Sequence, residues 1–196
     1  MKAKSKLRTI LNQIDEINKK DVHQEEFAGQ LFPKEHLYSL RMTEMLFEYD
    51  EDPPEELQIV ARGQHIKRWA IKREDFPNDR KGYLKWRSRL TLFHAEQITN
   101  LLQESGYDEV MTARIADIIS KKYLKTDRLT QQLEDLACLV FLKWYFEDFR
   151  KKHDEEKVIN ILRKTWSKMT EKGKDMALEL PLSTEVKVLV ERVLGL

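Results

Sequence analysis

The chain has 196 residues, a formal net charge of +1, 35% charged and 41% hydrophobic side chains, and only 6 Gly and 5 Pro. That length predicts one domain with a core of its own, and the composition is that of a highly helical protein with ion-paired outer faces. Near-neutrality excludes polyanion binding by bulk charge, so a nucleic-acid partner would need a local basic patch, and the single Cys138 excludes an internal disulfide.

Helical periodicity runs through the chain and no strand alternation stands out. Leu7, Ile10, Leu11, Ile14 and Ile17 predict a first helix over about 4–18, followed by a loop through Gly29 to Phe32. Pro33, a favourable first-turn residue, opens a second helix to about Tyr49. Asp50–Asp52 and Pro53-Pro54 break the chain before a third helix to about Ala70. The segment 72–82, with Phe76-Pro77-Asn78-Asp79, is the longest irregular stretch and suits a binding loop or lid. A fourth helix spans about 83–104 and stops at Ser105-Gly106, and Asp108 caps a fifth to about Lys122. Thr126 or Asp127 caps a sixth, which continues to Phe149. Asp154 opens a seventh, Gly173 interrupts it before a short segment over 176–180, and Pro181 and Ser183 introduce the last. The expected fold is all-α, a single compact bundle of about eight to nine helices, with a core over about 33–150 and C-terminal helices 154–196 packed on it. No apolar run approaches the roughly 20 residues of a membrane span. No signal-type apolar stretch follows the N-terminal lysines, so a cytoplasmic protein is expected.

Four residues stand out chemically. His36 shares a helical stripe with Leu40, Thr43 and Phe47. His65 aligns with Ala61 and Trp69, and His94 with Leu90, Ile98 and Leu101. Asp135 sits near the start of the sixth helix, which is apolar all round and therefore central; a carboxylate there needs a partner. It reads as a metal ligand, as a partner of a helix dipole, or as half of a buried ion pair. The histidines read as ligands or as hydrogen-bonded core residues. Arg62 and Arg68 flank His65 and are candidate holders of a substrate's negative charge, as is Lys122. Glu134 and Lys121 are candidate catalytic groups, against the plainer reading of a solvated charged face. Trp69, Trp86, Phe93, Trp144 and Tyr145 read as core before they read as stacking platforms. No glycine-rich phosphate loop, nucleophile elbow, Cys-x-x-Cys or His-Glu-x-x-His occurs.

The order of these residues resembles that of HD-domain metalloproteins, across about residues 36–145. His36 matches their first histidine and His65 the histidine of the His-Asp pair. His94, in Phe93-His94-Ala95-Glu96, matches the intermediate histidine, and Asp135, in Leu133-Glu134-Asp135-Leu136-Ala137, the late aspartate. Ile66 stands where the pair has its aspartate, and Lys121-Lys122 where a further histidine pair lies. Over nearly its whole length the chain is also similar to a family of small helical proteins of uncharacterised function, through segments such as Arg62-Gly63-Gln64-His65-Ile66-Lys67-Arg68-Trp69. The HD resemblance implies a divalent metal (zinc, iron or manganese) held by His36, His65, His94 and Asp135, and hydrolysis of a phosphorylated metabolite or nucleotide. The departure at Ile66 implies the alternative, a catalytically inactive HD-like module that binds a protein or RNA partner. A third expectation places such binding on Arg62, Lys67, Arg68 and the basic turn 121–125, with steep salt dependence.

Overall fold

The structure is a computed structural model that describes residues 2–195. It is predominantly helical, with ten α-helices among the described residues rather than eight or nine, and one two-stranded sheet. The chain falls into two compact units, Met1–Thr130 and Gln131–Leu196.

The first unit holds α1 (Lys2–Asn18), a hairpin of β1 (Gln24–Phe27) and β2 (Gln30–Pro33), α2 (Lys34–Tyr49), α3 (Glu55–Gly63), α4 (Arg80–Glu104) and α5 (Glu109–Ile119). The hairpin occupies the segment expected to be a loop. Its strands pair antiparallel, Gln24 opposite Pro33, around Ala28-Gly29. Both turn residues have positive φ, 52° and 76°, as a two-residue hairpin turn of the right twist demands. Only the glycine advertises this in the sequence.

Helix α3 is the hub of the unit, packing on α1, α2 and α5. Its Leu57, Ile59, Val60 and Ala61 are fully buried, with Ile10 and Ile14 of α1 and Met42, Met45 and Leu46 of α2. Gly63 is the last residue of α3, and a side chain there would meet Ile98 of α4, so the glycine permits the close approach. The expected continuation to Ala70 does not form. The chain turns at Lys67, which adopts a left-handed conformation (φ 54°) and donates its N–H to Asn18 Oδ1 at 3.1 Å. Helix α4 then begins at Arg80, capped by the Asp79 side chain on Gly82 N at 2.6 Å.

Helix α6 (Arg128–Val140) crosses from the first unit into the second and is buried along nearly its whole length, as expected of a central helix. Asp127 caps it, accepting from Thr130 N at 2.8 Å. A single π-helical turn, Phe141–Tyr145, separates it from α7 (Phe146–Lys151). Then follow α8 (Glu155–Trp166), α9 (Glu171–Glu179) and α10 (Thr184–Leu194), each started by a side-chain cap: Asp154, Thr170 and Ser183. Gly173 lies inside α9 rather than ending a helix. No helix among the described residues is long and apolar enough to cross a membrane.

Candidate functional site: a cationic pocket around two histidines

Three short stretches of the first unit converge on one cavity of about 90 Å3: the turn after α3, the middle of α4, and the turn after α5. They contribute Gln64, His65 and Arg68; Arg87, Leu90, Thr91 and His94; and Ile119 and Lys121. A cavity of that size holds on the order of three waters, or one small anion.

His94 is 4% exposed, and its Nδ1 lies 2.8 Å from the carbonyl oxygen of Ile66. A carbonyl only accepts, so Nδ1 carries the proton and Nε2 keeps its lone pair. That Nε2 is buried and has no hydrogen-bond partner among the described residues. Burial and the neighbouring His65 push the ring's pKa down to about 3, so it stays neutral. Ile66, where the HD pattern has an aspartate, thus contributes a backbone acceptor to the second histidine.

His65 sits beyond the end of α3 rather than within a helix, stacked on Tyr38 with ring centroids 4.2 Å apart. Its Nδ1 is 3.2 Å from Glu35 Oε2, and its Nε2 is 3.3 Å from Arg68 Nη1. Arginine only donates, so this histidine too protonates Nδ1 and offers Nε2 as acceptor. Burial, then the charges of Arg68, Lys121 and Arg87, hold its pKa well below the usual value. The two imidazole centroids are 5.9 Å apart.

Glu35 opens α2 behind His65. It is 7% exposed, and burial raises its carboxyl to about 7 against the pull of Arg68, whose Nε is 3.6 Å away. The Arg68 guanidinium also lies over the Trp86 ring at 4.9 Å. Lys121 follows α5 in a left-handed conformation, φ 56°, with its N–H on Ile118 O at 3.0 Å. That is the helix C-terminal position where glycine is favoured, and a lysine kept there places its side chain on the pocket wall.

The other candidate residues lie elsewhere. His36 Nε2 faces Asp15 at 3.8 Å, and burial lowers its pKa. Arg62 grips the same Asp15 in a two-pronged pair, at 2.6 and 2.7 Å, and donates to Thr43 Oγ1, so it ties α1, α2 and α3 together. Lys122 is exposed and pairs with Asp117 at 3.1 Å. Glu134 pairs with Lys168 at 3.1 Å within the second unit. Asp135 accepts the Thr170 N–H at 2.9 Å, the Thr170 hydroxyl, and Gln131 Nε2 at 3.2 Å. Its carboxylate therefore seats the N-terminus of α9, a dipole partnership with a different helix from its own. Gly173 leaves room for it, since a side chain there would meet the Asp135 carboxylate at about 3 Å.

Of the four expected ligands, the pocket contains His65 and His94. No cluster of three or more His, Cys, Asp or Glu with metal-binding geometry occurs among the described residues. Glu35, Gln64 and Arg87 join the site only in the folded chain. Arg87 was legible in principle, lying two turns before His94 on the same helix, whereas Glu35 comes close only through the tertiary fold.

A family model, domain of unknown function DUF4202, matches residues 8–190, which spans nearly all of both units. The chain belongs to the DUF4202 family. No curated protein and no solved structure matches it. Membership in DUF4202 carries no activity with it, so the chemistry of the pocket stands on its own residues.

Proposed function

We propose that the pocket of the first unit binds the phosphate group of a small phosphorylated ligand, a metabolite or a nucleotide. One observation carries this reading: three cations, Arg68, Arg87 and Lys121, line the pocket together with His94, whose buried Nε2 has no hydrogen-bond partner among the described residues. Guanidinium and ammonium groups donate to anionic phosphate oxygens. A neutral Nε2 can only accept, so it suits a phosphate oxygen that still carries its proton. A monoester phosphate offers both kinds of oxygen. Calorimetric titration of chelator-treated protein with inorganic phosphate and a nucleoside monophosphate tests the reading. Saturable one-to-one binding that weakens about tenfold in Arg68→Gln supports it, a single charge-assisted hydrogen bond being worth roughly that much. Absence of binding removes it.

A metal-dependent phosphohydrolase on an HD-like scaffold is the second reading. It is favoured by two neutral imidazoles each backed at Nδ1 by an acceptor, as metal-bound histidines are, although His65 Nε2 already accepts from Arg68. The donor set does not fit a resident divalent ion: catalytic zinc sites use three protein ligands, and here two imidazoles share the pocket with three cations. Elemental analysis separates the readings, since about one metal per chain, lost in His65→Ala and in His94→Ala, would favour the hydrolase.

A further inference from the structure

The first half of α4 carries charge and rings that a phosphate pocket alone does not use. From Arg80 to Ala95 the chain contains no acidic residue, and Arg80, Lys81, Lys85, Arg87 and Arg89 are all exposed. In a chain of net charge +1 this is a segregated basic patch. Tyr83 is 43% exposed, its ring 6.0 Å from that of Trp86 and 5.9 Å from the Arg87 guanidinium. Asp79, the nearest acid, is held at the helix start by Gly82 N.

The patch and the pocket are continuous. Arg80, Tyr83, Arg87, Thr91 and His94 are spaced three or four residues apart, so they share one face of α4. Arg87, Thr91 and His94 are pocket walls. Beyond the pocket, that face runs from Arg87 to Arg80 over about 10 Å, with the Tyr83 ring between the two cations. A small metabolite would fill the 90 Å3 cavity and leave this track empty. An acidic peptide would answer the charge but not the exposed ring, and a duplex would hide the base faces that such a ring can stack on.

Resting on the pocket reading above, we propose that the ligand is a single-stranded nucleic acid, seating a terminal phosphate in the pocket and laying its next nucleotides along the Arg80–Tyr83–Arg87 face of α4. The cations track the backbone, the Tyr83 ring stacks a base, and the Nε2 of His94 accepts the proton that only a terminal phosphate retains.

Fluorescence anisotropy on the full chain tests it, using oligonucleotides of about ten residues, long enough to cover the ~21 Å of pocket and track together. The set comprises strands phosphorylated at either end, an unphosphorylated strand and a polyglutamate competitor. Inorganic phosphate and a nucleoside monophosphate are titrated in parallel. A terminally phosphorylated strand is expected to bind at least about tenfold tighter than the monophosphate, with affinity falling steeply as salt rises. The paired change Arg80→Ala, Tyr83→Ala, and separately Arg80→Glu, should each remove about tenfold of strand affinity while monophosphate affinity and melting temperature hold. If the strand binds no tighter than the monophosphate, or if these variants change nothing, the inference is wrong and the pocket reading stands. Equal binding of the unphosphorylated strand overturns the terminal-phosphate seat, and equal competition by polyglutamate overturns nucleic acid as the ligand. Loss of phosphate and monophosphate binding altogether removes the pocket reading and this inference with it.

Discussion

Glu35 and the two pocket histidines pull stability in opposite directions as pH changes. Glu35, raised from 4.5 to about 7, holds a proton in the folded chain that the unfolded chain has released; its contribution is full below about pH 4.5 and is lost as pH rises through 7. His94, lowered from 6.5 to about 3, stays neutral where the unfolded chain takes up a proton. Its contribution is full above pH 6.5 and is lost as pH falls, and His65 acts in the same sense. The windows overlap between about pH 4.5 and 6.5, where Glu35 partly offsets the histidines. Glu35→Gln should therefore lose stability more steeply on acidification through that window, by roughly 1.4 kcal/mol per pH unit relative to the parent. Urea melts at several pH values measure the slopes, and identical slopes would refute the assignment. Asp135 belongs to a different argument. Asp135→Asn retains the side chain's shape but weakens acceptance from Thr170, and it should cost about 1–3 kcal/mol in a denaturant melt. A neutral result would mean that the carboxylate does not hold α9.

Among the elements, turns explain both what was legible in the sequence and what was hidden. The long amphipathic helices announced themselves through apolar spacing and capping residues: Asp108, Asp127, Asp154 and Ser183 all accept from the backbone where expected. The hairpin and the end of α3 did not, because Ala28 and Lys67 adopt left-handed conformations that nothing in a non-glycine residue signals. His65 consequently lies on a turn rather than a helix. His65, His94, Arg68 and Lys121 could be picked out as chemistry-bearing residues from their neighbours. Their company could not, since Glu35 reaches His65 only once α2 packs against α3. Lys121 yields an element-scale prediction. Lys121→Gly should relieve the positive-φ strain and raise stability by about 0.5–1 kcal/mol, while weakening phosphate binding about tenfold. A stabilised variant with unchanged binding would show that the lysine is not part of the pocket.

For the molecule as a whole, near-neutral net charge hides a sharp local asymmetry. Some cations are paired on the surface, as in Arg150 with Glu147 or Arg192 with Glu155, and such pairs add little to stability. The exposed run of α4 and the pocket beside it gather cations within the first unit, and all of the pocket groups precede the start of the second. The family match covers both units, so the second is as much part of the DUF4202 chain as the first. The central claim is that this pocket recognises phosphate through Arg68, Arg87, Lys121 and His94 without help from a metal. Calorimetry of the full chain in the presence of a chelator, with inorganic phosphate as titrant, tests that claim most directly. Saturable one-to-one binding, weakened about tenfold in Arg68→Gln, is the predicted outcome. Binding that appears only after a divalent metal is added, or none at all, would contradict it.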